Sequence, residues 1–258
     1  LSSEEAMALK LRNTLLVTWL AGSLIPFVLG RKTRWMWPLA HAAVIVPSVM
    51  RNSAAWGPLA RRFETQNREI WLTIDDGPCT TTTPRFLEIL DQYDARATFF
   101  MIGARADRLR SHARDVVLSG HGVGSHTYHH WSGAWWGLPP GLVRDQIERG
   151  HDAVQSATGV RSHHFRCPVG MTNPWVHPVL QVMRLHSIGW SASGVDGLKS
   201  RGAAVVDRIM RNLTPGGIIV LHESEIDGET RAGTLELLMQ RLDADGWRCV
   251  LPTSDQFR

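Results

Sequence analysis

The chain has 258 residues, a length that suits one large domain or two small ones. Hydrophobic residues make up 43% and charged residues 20%, a globular composition that excludes a disordered or low-complexity chain. The net charge is only +4, and the basic residues are not interleaved with aromatics along any stretch, so nucleic-acid binding has no footing.

The N-terminal region differs in kind from the rest. Residues 13–30 (NTLLVTWLAGSLIPFVLG) form an 18-residue run without a charge. The basic patch RKTRW, residues 31–35, follows, and then a second uncharged run of 16 residues, 35–50. A membrane-spanning helix needs about 20 apolar residues, with a lower limit near 17, so both runs are borderline. Pro26 and Pro47 interrupt them. A membrane hairpin with its basic turn on the cytoplasmic side fits the positive-inside rule and puts the remainder outside the cytoplasm. A signal sequence fits less well, because acidic SSEE precedes the first run and a second run follows. A pair of buried or interfacial helices is the third reading. The expectation is a membrane-associated hydrophobic hairpin and linker over residues 1–65 and a separate domain over residues 66–258.

From Glu69 onward, short apolar runs alternate with helical patterns. Strands are expected over 70–74, 97–102, 122–125, 163–167, 187–191, 217–222 and 248–251. Helices are expected near 83–92, 105–119, 141–157, 174–185, 202–212 and 229–245. Such alternation predicts an α/β fold, a parallel barrel of about seven strands, closed or nearly closed. In that architecture the chemistry gathers where the strands end, because the loops that follow them meet there. Five strand ends carry chemically capable residues: Asp75 and Asp76, His126, Arg166, Asp196 and His222.

SHTYHHW, residues 125–131, places His126 and His130 at i, i+4, which on a helical turn puts both rings on one side. Two imidazoles and one carboxylate make a metal site with open positions for water. The carboxylate is Asp75 or Asp76, and His129 is a further ligand candidate. A divalent cation offsets the repulsion between the paired acids, leaving one to ligate and the other to take a proton from water.

The blocks TIDDGP (73–78), HTYHH (126–130), RCPVG (166–170), WSASGVDG (190–197) and IVLHES (219–224) resemble, in order, the signature blocks of the polysaccharide deacetylase family, carbohydrate esterase family 4. The resemblance covers roughly residues 70–252. It implies a distorted (β/α) barrel that removes N-acetyl groups from amino sugars with a divalent metal, commonly zinc. It implies Asp76, His126 and His130 as metal ligands and Asp75 as general base, oriented and held ionised by Arg166. His222 becomes the general acid, held by Asp196. The Val169 N–H stabilises the oxyanion, and Leu221 lines the pocket for the acetyl methyl. Ile74, Trp131, Val169 and Gly197 depart from the family pattern, the last beside Asp196. Cys79 and Cys167 fall in the first and third blocks; a disulfide between them at the barrel mouth is one reading, and two inert thiols is the favoured one.

Trp131, Trp135 and Trp136 follow the histidines, where exposed aromatics would stack on sugars or sit at a membrane interface, and buried ones would cap the core. The expected substrate is an amino-sugar glycan of the cell envelope or a lipid-linked saccharide. Removal of formyl instead of acetyl, or a non-catalytic glycan-binding barrel, are the alternatives.

Overall fold

The computed structural model describes residues 36–196 and 202–257. Helix α1 (Met36–Val49) leads into the barrel. The strands are β1 (Glu69–Gly77), β2 (Ala97–Met101), β3 (Gly122–Ser125), β4 (His164–Phe165), β5 (His186–Ser187), β6 (Ala192–Ser193), β7 (Gly217–His222) and β8 (Arg248–Cys249). Helices α2 (Thr82–Gln92), α3 (Gly103–Arg108), α4 (Arg110–Leu118), α5 (Pro140–Thr158), α6 (Val176–Met183), α7 (Gly202–Asn212) and α8 (Gly228–Ala244) lie between them. Every strand pairing is parallel, in the order β5-β4-β3-β2-β1-β7-β6, with β8 added beside β1. The strand expected over 187–191 is two short strands instead, β5 ending at Ser187 and β6 starting at Ala192. The helix expected over 105–119 is broken at Leu109, whose ψ of 51° is not helical.

Strand parity divides the core. Along β1, Ile70, Leu72 and Ile74 pack outward with Phe86, Leu90, Leu235 and Leu238 of the flanking helices. Trp71 points the other way, into an inner cluster with Phe63, Phe100, Ile188 and Ile218. Thr73 and Asp75 share that inner side by the two-residue period of a strand. The inner face therefore runs from an aromatic floor at Trp71 to a carboxylate at the strand's end. β7 keeps the same phase: Ile74 pairs with Leu221 and Asp75 with His222.

The barrel is open between β5 and β6. Residues 60–63 cover that edge: Ala60 N–H donates to Ser187 O at 3.0 Å, Gly189 N–H to Ala60 O at 2.8 Å, and Phe63 N–H to Gly216 O at 2.9 Å. These pairs satisfy backbone groups that an uncovered edge strand would leave exposed.

The uncharged run 13–30 lies outside the described residues. Among the described residues, no helix is long and apolar enough to cross a membrane. The three cysteines are free thiols.

One close approach holds the loop after β3 in place. A Cβ on Gly150 of α5 would meet the Thr127 carbonyl carbon at 2.5 Å and its oxygen at 2.8 Å. Both are backbone atoms and cannot rotate away. Gly150→Ala is expected to destabilise the fold by about 1–3 kcal/mol through overpacking, measured as a lowered midpoint in thermal unfolding followed by circular dichroism. An unchanged midpoint would show that α5 can shift to accept a methyl group.

Candidate active site

Asp75 and Asp76 diverge because β1 breaks its register with β2 between Asp75 and Gly77. Asp76 takes up the irregularity with φ 70°, in the left-handed region that short polar side chains tolerate best. Asp75 continues the strand into the barrel, and Asp76 turns across its mouth. The Arg105 guanidinium donates to the Asp76 carbonyl and fixes the turn from outside. A Cβ on Gly77 would meet Glu223 Oε2 at 1.7 Å, so Gly77 is what lets the buried Glu223 pack beneath the turn.

His126 and His130 do come together, their ring centroids 4.6 Å apart. The expected helical turn does not form. Residues 126–130 are a loop in which Thr127 (φ 65°) and His130 (φ 55°) are left-handed. Two amides at the start of α3 anchor it: Gly103 N–H donates to Thr127 O and Ala104 N–H to Tyr128 O, each at 2.9 Å. His129 is turned out of the site, its ring stacked on Trp131 at 5.3 Å.

Asp76 Oδ1 lies 3.6 Å from His126 Nε2 and 3.4 Å from His130 Nε2. Among the described residues these three offer ligand atoms within 4.8 Å of one another. Asp76 Oδ1 is buried and has no hydrogen-bond partner, a costly state for a carboxylate oxygen unless a cation completes it. His126 Nδ1 lies 2.8 Å from the Arg166 carbonyl. Donation there makes Nε2 the lone-pair nitrogen that faces Asp76 and His130, the arrangement a metal ligand needs. Burial, with the neighbouring His130 imidazole, pushes the His126 pKa well below its ordinary value and keeps the ring neutral. The donor set fits a divalent cation.

Arg166 crosses the barrel interior, 1% exposed. Nη1 donates to Asp75 Oδ1 and to Thr73 Oγ1, both at 2.7 Å, Nε to Ile188 O at 3.0 Å, and Nη2 to Gly189 O at 2.9 Å. The other Asp75 oxygen, Oδ2, is left facing the site, 3.8 Å from His126 Nε2 and 4.0 Å from His222 Nε2. Opposite, Asp196 grips His222 twice: Oδ2 accepts from the His222 backbone N–H, and Oδ1 lies 2.8 Å from Nδ1. Burial alone would lower the His222 pKa; the hydrogen bond and charge of Asp196, reinforced by Asp75 and Asp76, raise it to about 9. His222 is therefore a protonated imidazole at neutral pH, with Nε2 facing Asp75.

Arg231, Trp190 and Glu223 also carry this site, the last two from inside the blocks WSASGVDG and IVLHES. Arg231 of α8 donates to Asp196 Oδ2 at 3.2 Å and to the His222 carbonyl at 3.4 Å. Trp190 packs on the Val169–Gly170 turn: a Cβ on Gly170 would meet its ring at 2.4 Å. Burial raises the pKa of Glu223 to about 8, against the lowering effects of its hydrogen bond from Thr83 and the charge of Arg105.

Val169 sits at φ 57° in the single 3-10 turn Pro168–Gly170 that follows β4, beside Arg166. Leu221 requires a correction. It packs outward with Ile74 in the cluster between sheet and helices, on the face opposite His222. By strand parity Val220, not Leu221, shares the His222 side. Of the tryptophans, Trp131 is 41% exposed beside His130, whereas Trp135 is a fully buried core residue with Phe165 and Val143. Gly197 lies outside the described residues.

The polysaccharide deacetylase family model matches residues 63–187. A chitooligosaccharide deacetylase from Azorhizobium caulinodans is 33% identical over 172 residues, 64% of this chain and 78% of that protein. A peptidoglycan-N-acetylglucosamine deacetylase from Bacillus cereus is 29% identical over 192 residues, 73% of this chain and 89% of that protein. Among solved structures, a mutant of a Bacillus anthracis family 4 pseudoenzyme with restored enzymatic activity superposes with a TM-score of 0.68 at 26% identity, covering 74% of this chain and 68% of that one. With the signature blocks converging on one end of the shared barrel, the chain belongs to the polysaccharide deacetylase family.

Proposed function

We propose that the protein is a metal-dependent hydrolase that removes the N-acetyl group from an amino sugar of a cell-envelope glycan or lipid-linked saccharide. The observation that carries this reading is the opposition of Asp75 Oδ2 and His222 Nε2 at 4.0 Å, beside three ligand atoms that converge on the unpartnered Asp76 Oδ1. One group is placed to accept a proton and the other to give one. The two deacetylases it resembles act, by their names, on chitooligosaccharides and on peptidoglycan N-acetylglucosamine. All the groups a catalytic barrel needs are in place, which disfavours a purely glycan-binding role.

A divalent cation held by Asp76, His126 and His130 would supply Lewis acidity to the amide carbonyl and lower the pKa of an attacking water. Two imidazoles with one carboxylate favour zinc. The protein's own groups do the rest. Asp75 Oδ2 accepts the proton of the water as its oxygen bonds to the amide carbon. The Val169 N–H donates to the developing oxyanion. His222 Nε2 protonates the nitrogen as the C–N bond breaks, leaving acetate and a free amine. Arg166 holds Asp75 in place, and Asp196, itself braced by Arg231, holds His222 charged. Val220 replaces Leu221 as the residue placed to line the acyl pocket. Trp131 offers an exposed face for sugar stacking.

We place the catalytic domain at the membrane surface, attached through the uncharged run 13–30. The 18-residue length of that run supports this attachment.

Asp75→Asn is expected to lower kcat by about 10²- to 10⁴-fold with metal content unchanged by elemental analysis. Asp76→Asn should weaken metal affinity itself by at least about a hundredfold in competition with a chelating dye. Equal metal loss in both variants would mean the two acids' roles are misassigned. Activity that needs protonated His222 falls as pH rises through that residue's pKa, so the alkaline limb of kcat lies above the ordinary histidine value of 6.5. Asp196→Asn removes the raising partner and should move that limb to lower pH; an unmoved limb would exclude His222 as the acid. Trp131→Ala should raise KM several-fold, about 1 kcal/mol, with kcat retained; an unchanged KM would remove it from the sugar site.

A further inference from the structure

Helix α1 has the reverse of the usual surface pattern. A surface helix normally turns its apolar stripe inward and its polar face to water. In α1 the inward side carries Ala40 and Ser48, the latter 1% exposed. Ser48 Oγ accepts from Trp56 Nε1 at 3.0 Å, and its carbonyl accepts from Thr172 N–H at 3.1 Å. The outward side carries Pro38, Leu39, Ala42, Ile45 and Val46, with Met50 just past the helix end. These positions recur at helical spacing and form one continuous apolar face. Leu39, Val46 and Met50 are 59%, 50% and 55% exposed. Residues 36–50 contain no Asp, Glu, Lys or Arg.

The position of the helix gives this face a meaning. The chain leaving α1 is hooked to the catalytic rim: Asn52 N–H donates to Gly170 O at 2.9 Å, one residue from Val169. Asn52 Nδ2 also donates to Trp190 O at 3.1 Å. The loop that receives Ser48 ends at Trp175, itself 38% exposed. The apolar face therefore stands beside the active-site mouth and is rigidly tied to it.

What covers that face is indicated by the flanking chain. Thirty-five residues precede α1, and they end with the uncharged run 13–30 and then Arg31, Lys32 and Arg34. Arg51 follows at the other end. An uncharged face bracketed by cations suits the headgroup–acyl boundary of an anionic bilayer, where apolar side chains enter the acyl layer and cations meet phosphates. One side of α1 is bonded to protein, so the helix lies on the bilayer and does not traverse it.

We propose that the outward face of α1 is a membrane-docking surface that seats on an anionic lipid bilayer and holds the catalytic rim against it, so that the substrate's amino sugar is presented at the membrane surface. The proposal rests on the membrane attachment inferred above and deepens it.

The test uses the full chain with a nitroxide at Val46→Cys in a Cys249→Ser background, bound to vesicles of phosphatidylethanolamine and phosphatidylglycerol. Power-saturation measurements compare collision with oxygen and with a water-soluble nickel chelate. Docking predicts a label that oxygen reaches and nickel does not. A nickel-accessible label on vesicle-bound protein would overturn the docking and leave attachment through residues 13–30 standing. A label shielded from both reagents would show that protein covers the face, and would overturn the proposal equally. Protein that does not sediment with vesicles would end both readings. A second arm uses Leu39→Ser, Ile45→Ser and Val46→Ser together. Turnover of a lipid-linked N-acetylglucosamine embedded in the same vesicles should fall at least about tenfold, the scale of losing several buried apolar side chains. Hydrolysis of a soluble N-acetylated chitooligosaccharide should be unchanged. Equal loss on both substrates, or loss on neither, would overturn the proposal. Wild-type protein inactive on both would sink the deacetylase reading alone, since the nitroxide measurement stands without catalysis.

Discussion

The barrel is organised around a buried guanidinium. Arg166 is the charge that the interior can least tolerate alone, and four acceptors on two separate pieces of chain answer it. Two of those acceptors, the carbonyls of Ile188 and Gly189, belong to the stretch where the sheet is open. The arginine thus satisfies backbone groups that have lost a strand partner there, and turns the gap into a seat. Its remaining contacts are Thr73 and Asp75. Its own carbonyl lies against His126 Nδ1. One residue therefore aims both the proton acceptor and a metal ligand, from opposite ends of its own structure. A lysine could not replace it, because a single ammonium cannot span this many acceptors in a fixed plane.

The two halves of the site are kept apart electrostatically. Asp75 is held from below by Arg166. His222 is held from the side by Asp196, which Arg231 in turn braces. Each acid has its own cation, so Asp75 and Asp196 do not compete for one proton. The strand phase enforces this division. Asp75 and His222 are direct neighbours across β1 and β7, and the residues just before them, Ile74 and Leu221, face the helices. The same alternation that builds the core places the acid and the base together.

Much of this was legible from the sequence because each functional residue stands at the end of a recognisable apolar run. TIDDGP and LHES carry the ends of β1 and β7, the histidine cluster and RCPVG follow β3 and β4, and parallel strands bring those ends together. The errors are equally physical. The i, i+4 spacing of His126 and His130 suggested a helical turn, but the chain uses left-handed Thr127 and His130, which spacing does not reveal. Leu221 lies inside the IVLHES block, but strand parity counted back from His222 puts Val220 on the inner face. SIGWS read as one strand because nothing local marks the break that Arg166 fills through its bonds to residues 188 and 189. Arg231 reaches the site only through tertiary packing; Glu223 stands beside His222 in IVLHES, but its burial against Gly77 is set by packing that the sequence does not show.

The loop from Trp131 to Gly137 contrasts with everything around it. Side chains added at Gly133 and Gly137 would meet nothing within 4 Å, whereas Gly150 and Gly77 admit no atom at all. Strand β1 carries floor, brace and base in a fixed alternation, so a one-residue insertion there would exchange Asp75 for Ile74 on the inner face. The tryptophan loop carries no such phase. The molecule thus separates a reading frame, which chemistry locks residue by residue, from a margin pinned at the buried Trp135, where the glycine positions on either side of that anchor are open to new side chains.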